Sequence, residues 1–402
     1  MASPRHLVPA LGLFALVPAL LAEEVAKPAD APKSPVVTFS GWADNIFSVS
    51  DDNLEQVGGP TAKSTQAPIA RFTSTANLKA GWKIGDQLSG KINAWFYPVA
   101  SDGTSAKQSL NLREAYALYQ VSEAVGLKMG KYIDHIDWIA QDPTGLYLVN
   151  GSIIGYTGNT YGNDVLGAAV IITPKDSPIS GELHVTNGYY TSTDAYSYNY
   201  DVTATNPNRA NSDMGWGFDL TYTLPKDMGN VNLEGAYDTH SAYNAMNADA
   251  LGGKVSYVGI NLTLKPIKDL IVGLEVQAKE IGLGATSDGG DFGGKEKIYQ
   301  GMILANYALS GTPFPMSITL SDQYIVALND EKFDATNASM ADQGKNRVNA
   351  VQAALLTNPT GSTNFGLNLE VGYYQRLFGE TASTPADGMR GWETALEALI
   401  SF

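Results

Sequence analysis

Apolar side chains recur on alternate positions of this chain over runs of ten to fourteen residues, and few folds can satisfy that pattern. In "RFTSTANLKAGWKI" (71–84) the even positions carry Phe72, Ala76, Leu78, Trp82 and Ile84, and the odd ones Arg71, Thr73, Asn77, Lys79 and Lys83. "QLSGKINAWFY" (87–97), "KVSYVGINLTL" (254–264) and "NFGLNLEVGYY" (364–374) repeat the alternation. Ordinary strands run about five or six residues. Each longer run implies a deep sheet with an apolar medium on one side and a polar one on the other.

The closing stretch "GWETALEALISF" (391–402) has the same form, with Trp392, Leu396, Ile400 and Phe402 on one face and Glu393, Glu397 and Ser401 on the other. Chain ends are usually polar and frayed, so an ordered apolar face here implies a closing strand against lipid. Its partner is expected near "VVTFSGWADNIFSV" (36–49), because an unpaired sheet edge is not tolerated in a bilayer. Aromatic pairs lie ten residues apart on single faces: Phe72 with Trp82, Phe314 with Tyr324, and Trp392 with Phe402. Ten tilted residues span about 25 Å, the height of an apolar band with an aromatic girdle at each rim.

Connections alternate in length. Short ones fall at 85–87, 122–126, 174–178, 225–229, 265–269, 310–314 and 357–363. Long ones fall near 51–68, 98–108, 134–163, 191–213, 241–253, 282–296, 329–346 and 377–390. The pattern implies an all-β transmembrane antiparallel β-barrel of about 16 strands, with short periplasmic turns and long extracellular loops. Weak alternation near 127–133 and 164–173 leaves the strand number between about 14 and 18.

The organisation is read as a signal peptide over 1–22, a Pro/Ala-rich linker over 23–35 and the barrel over 36–402. Arg5 and His6 precede an apolar core from Leu7 to Leu21, and Ala19 or Ala22 supplies a small cleavage residue. There are no cysteines, which excludes disulfides, thiol catalysis and zinc–thiolate sites. A net charge of −15 argues against nucleic acid as a partner.

Four stretches, "LREAYALYQ" (112–120), "LKMGKY" (127–132), "LHVTNGYY" (183–190) and the terminal "ALISF", resemble bacterial outer-membrane porins, in particular the putative beta-barrel porin (OmpL-like) family. They cover about a tenth of the chain. After the Gly-basic-aromatic element, "GKYIDHIDWI" lacks the Pro-and-Gly turn often found there. The resemblance implies a bacterial cell outer membrane location and recognition of the terminal aromatic by the barrel-assembly machinery. By analogy it also implies a homotrimer.

On the alternation, the pore-lining set is Arg71, Lys79, Lys91, Arg113, Glu182, His184, Asn232, Glu234, Asn261, Glu275, Gln277, Gln323, Asn368 and Glu370. Early strands contribute bases and later ones carboxylates, so a transverse field is expected. The acidic total points to cation or neutral-solute preference. The loop over 134–163 is unusually apolar and is read as folding into the barrel, as forming a further hairpin, or as a contact between copies. Its Asp134, His135, Asp137 and Asp142 are constriction candidates, and their spacing matches no metal-ligand pattern. "TSDGGDFGGKE" (286–296) is read as a flexible Gly-rich loop.

No cofactor, metal site or enzymatic activity is expected: no nucleophile elbow or phosphate loop occurs, and His184 has no obvious serine partner. The function implied is that of a porin admitting small hydrophilic solutes and ions by passive diffusion. The alternatives are a secreted soluble β-rich glycan-binding or structural protein, and a barrel with enzymatic activity.

Overall fold

A computed structural model describes residues 35–55, 64–65, 68–97, 109–133, 145–149, 164–186, 215–241, 253–282, 295–329, 345–380 and 387–402. Residues 1–34, read above as signal peptide and linker, and most of the long connections, with Asp134, His135, Asp137, Asp142 and the Gly-rich 286–294, lie outside those residues.

Sixteen strands make one closed antiparallel sheet. In chain order they are β1 (Val36–Glu55), β2 (Ile69–Ile84), β3 (Leu88–Tyr97), β4 (Ser109–Gln120), β5 (Val125–Ile133), β6 (Asp164–Ile172), β7 (Ile179–Thr186) and β8 (Gly215–Thr223). The wall continues with β9 (Gly229–Ser241), β10 (Gly253–Leu264), β11 (Leu270–Gly282), β12 (Lys295–Leu309), β13 (Met316–Asn329), β14 (Lys345–Thr357), β15 (Phe365–Glu380) and β16 (Asp387–Ser401). A two-residue bridge, Ser64–Thr65, adds to β1.

Each strand pairs with its sequence neighbours, and β16 returns to β1 from Trp42↔Ser401 to Glu55↔Gly388. The weakly alternating stretches near 127–133 and 164–173 are both strands. β1 and β16 extend past the limits drawn from alternation, to Glu55 and back to Asp387. Pairing there continues beyond the stretch where apolar residues mark one face.

The molecule is inside out. Phe72 is 79% exposed and Val276 62%, whereas Glu234 and Gln323 are fully buried. Along β16 the exposed set is Trp392, Leu396 and Ile400, and the buried set is Ala395 and Glu397. A soluble sandwich would hide the Phe72 face in its interior; this wall presents it to the surroundings. Such a continuous apolar exterior is stable only against lipid. The girdle candidates Phe72, Trp82, Tyr324, Trp392 and Phe402 lie on or beside that exterior, while Phe314 sits half-buried in the turn before β13.

The seam between first and last strands is tight. Gly41 and Phe402 exchange two backbone hydrogen bonds of 3.0 Å. A β-carbon on Gly41 would lie 2.6 Å from the Phe402 ring. Gly41→Val is therefore expected to cost about 1–3 kcal/mol through overpacking at the closure, read as a lower urea midpoint for the barrel folded in detergent.

Candidate functional site

Lumen chemistry follows from strand parity, since inward side chains alternate with outward ones. The fourteen interior candidates all sit on the inward side of their strands, although the segment from β12 to β14 departs from the expected polar lining. On the β2–β5 side, Lys91 Nζ meets Glu114 Oε2 at 2.5 Å, and Asn93 Nδ2 donates to the same oxygen at 2.8 Å. Asn77 in turn donates to Asn93. The Arg113 guanidinium lies 4.9 Å from the centre of the Trp95 ring, which meets Trp42 edge-on at 5.0 Å.

Glu114 escaped the sequence reading because alternation allows only one of Arg113 and Glu114 to face inward. A bulge resolves this: Asn93 pairs with Glu114 and Ala94 with Leu112, leaving Arg113 as the extra residue. The inserted residue lets both side chains reach the interior.

Lys128 is buried and pairs with Glu182 at 2.7 Å, its ammonium 4.5 Å from the centre of the Tyr132 ring. His184 is buried beside them, with Nδ1 3.3 Å from the Tyr132 hydroxyl. Next to this cluster a polar cavity of about 410 Å³ opens toward the short turns, lined by Glu182, Asp219, Thr221, Asn232 and Asn261 among others. Asn232 Nδ2 donates to Asp219 Oδ2 at 2.7 Å.

From β9 to β16 the carboxylates are held beneath hydrogen bonds. Tyr257 donates to Glu234, Gln277 to Glu275, and Gln300 to Gln277. Gln323 Nε2 donates to Gln352 Oε1 at 2.6 Å, and Gln352 Nε2 to Glu370 Oε1 at 3.1 Å. Asn368 Nδ2 donates to Glu397 Oε2 at 2.5 Å. Lys128, Gln300, Gln352 and Glu397 join the interior set without having been singled out; Glu397 was legible from its place on the polar face of the last strand.

Met302, Leu304, Ile325, Val348 and Ala350 give β12 to β14 an apolar inner face. Its cover includes a described piece of the long 134–163 loop, Gly145–Val149, which lies inside the barrel. Leu148 joins the same buried cluster, with Leu146 and Tyr147 packed against it. Burial pushes the Tyr147 phenol up. The Val149 N–H donates to Glu370 Oε2 at 2.7 Å, fastening the segment to β15. Of the three readings of this loop, inward folding is the one this segment adopts.

The arrangement is a membrane-type barrel whose interior pairs bases with carboxylates on the β2–β7 side and holds hydrogen-bonded carboxylates from β9 to β16, partly filled by its own loop. In structure it is similar to OmpT of Vibrio cholerae in its trimer form (11% identity, 92% of this chain and 100% of that chain, TM-score 0.54). It is similar also to the outer-membrane channel DcaP of Acinetobacter baumannii (15%, 92% and 97%, TM-score 0.56). An anion-selective porin from Comamonas acidovorans shares the fold as well (10%, 92% and 100%, TM-score 0.54). No family model and no curated protein matches the sequence.

Proposed function

We propose that this protein is an outer-membrane porin that lets small hydrophilic solutes and ions diffuse passively through a lumen narrowed by its own 145–149 segment. The observation that carries the reading is the inverted wall, apolar outside and charged inside, with that segment fastened to Glu370. The porin and channel neighbours support it. The protein resides in the bacterial outer membrane and acts without cofactor or catalytic chemistry; His184 is a packed wall residue. The terminal strand ending in Phe402 addresses the chain to the barrel-assembly machinery. The barrel assembles as a homotrimer, as the trimer form of OmpT suggests.

Accessible charge rather than total charge sets ion preference in a narrow bore. Glu234, Glu275, Glu370 and Glu397 are buried, whereas Arg71 and Lys83 are exposed and Lys91 keeps about a third of its side-chain surface. The lumen therefore favours anions, against the acidic composition of the whole chain. Lys83→Glu with Lys91→Glu is expected to move the reversal potential under a KCl gradient toward the potassium side by several-fold in permeability ratio. For uncharged solutes, liposomes carrying the purified barrel should swell quickly in small sugars and slowly in larger ones. Swelling no faster than protein-free liposomes, from correctly folded barrel, would contradict the diffusion reading.

A further inference from the structure

Asp322 is a carboxylate on the outside of the barrel. It sits in the middle of β13, exposed, on the face that carries Leu320 and Tyr324, with Ile303 and Val351 as its cross-strand partners. Its partner among the described residues is Asn349, whose Nδ2 donates to Oδ1 at 3.0 Å. A carboxylate at this depth, answered by a single neutral amide, is unfavourable in acyl chains, and intramembrane ionisable groups as a rule gather polar partners.

The same wall carries a second outward polar pair. Ser74 Oγ donates to Asn45 Oδ1 at 2.8 Å, on exposed positions of β2 and β1. The Asn45 NH2 has no partner among the described residues. The depths agree: Ser74 lies two residues inside Phe72 on the long-loop side, and Asp322 two residues inside Tyr324 on that same side. One pair offers a carboxylate oxygen and the other an amide donor. β13 and β1 stand four strands apart in the sixteen-strand wall, roughly a quarter of its circumference.

We infer that Asp322 of one copy accepts a hydrogen bond from Asn45 of the next, so that two different surfaces meet in a head-to-tail contact. Head-to-tail contacts between two different faces close into a ring when the rotation from copy to copy divides the full turn. The inference builds on the self-assembly proposed above and names the surfaces that make it.

The absence of native cysteine makes the test clean. Chains carrying Asn45→Cys and Asp322→Cys together, oxidised in isolated outer membranes, should run as disulfide-linked dimers and trimers. Each single variant should stay at monomer mass. A double variant that stays monomeric while the unaltered protein has oligomer mass in mild detergent would leave self-assembly standing and overturn this interface. Self-cross-linking of Asp322→Cys alone would overturn it in favour of a two-fold contact. Asp322→Leu supplies a second reading. The expected result is loss of the oligomer from a barrel that still shows a heat-modifiable shift on gels. Retention of the oligomer with a more heat-resistant barrel would place the carboxylate in lipid and overturn the inference.

Discussion

Val276→Arg is expected to destabilise the folded protein by about 2–4 kcal/mol, the cost of a cation on the lipid face near the bilayer midplane. Val276 lies in the middle of β11 and is 62% exposed. On a soluble protein, a substitution at so exposed a site would fall within about 0.5 kcal/mol of neutral. Thr73 supplies the control, since it is exposed on the inward side of β2, so that Thr73→Arg should be close to neutral. Urea titration of barrels folded into lipid vesicles separates the two. Equal, small effects at both positions would mean that the outer face of β11 meets water.

Glu370→Ala is expected to release the 145–149 segment and raise single-channel conductance, with larger fluctuations in the open current. The Glu370 carboxylate is buried and accepts from both Val149 N–H and Gln352 Nε2. Losing a hydrogen bond to a charged acceptor costs about 1.5–3 kcal/mol. That loss lowers the docked-to-undocked ratio of the segment by roughly ten- to a hundred-fold. Glu370→Gln keeps an acceptor and should do less. Leu148→Ala removes a buried side chain from the same contact, with an expected cost of about 2–4 kcal/mol, and should act in the same direction as Glu370→Ala. Unchanged conductance in both alanine variants would mean that the segment does not narrow the path ions take.

The wall was legible because lipid and water face opposite sides of every strand, which writes the period into the sequence wherever both media are present. Closure through "GWETALEALISF" followed from the same rule. The weak signals at β5 and β6 have a physical cause: Tyr132, Val165 and Ala169 face inward and join the apolar interior cluster, so polar alternation is not enforced there. β12 behaves alike. Its run "GMILA" (301–305) is apolar on both faces, and Met302 and Leu304 belong to the buried interior cluster that includes Leu148. Apolar residues on both faces of an otherwise alternating strand mark a wall covered from both sides, and this was the available signal for the interior plug. The bulge at Arg113 left no comparable trace, since an inserted residue is defined by the partner strand's register. Glu370 stood out as an inward carboxylate, but its backbone partner Val149 lies 221 residues away and follows from no local pattern.

Current across a planar lipid bilayer, with the purified barrel added from detergent under a KCl gradient, tests the open pore most directly. Discrete, ohmic steps and a reversal potential on the chloride side are expected. A folded, detergent-dependent barrel that inserts and gives no steps would contradict an open pore, leaving a closed barrel with a different task.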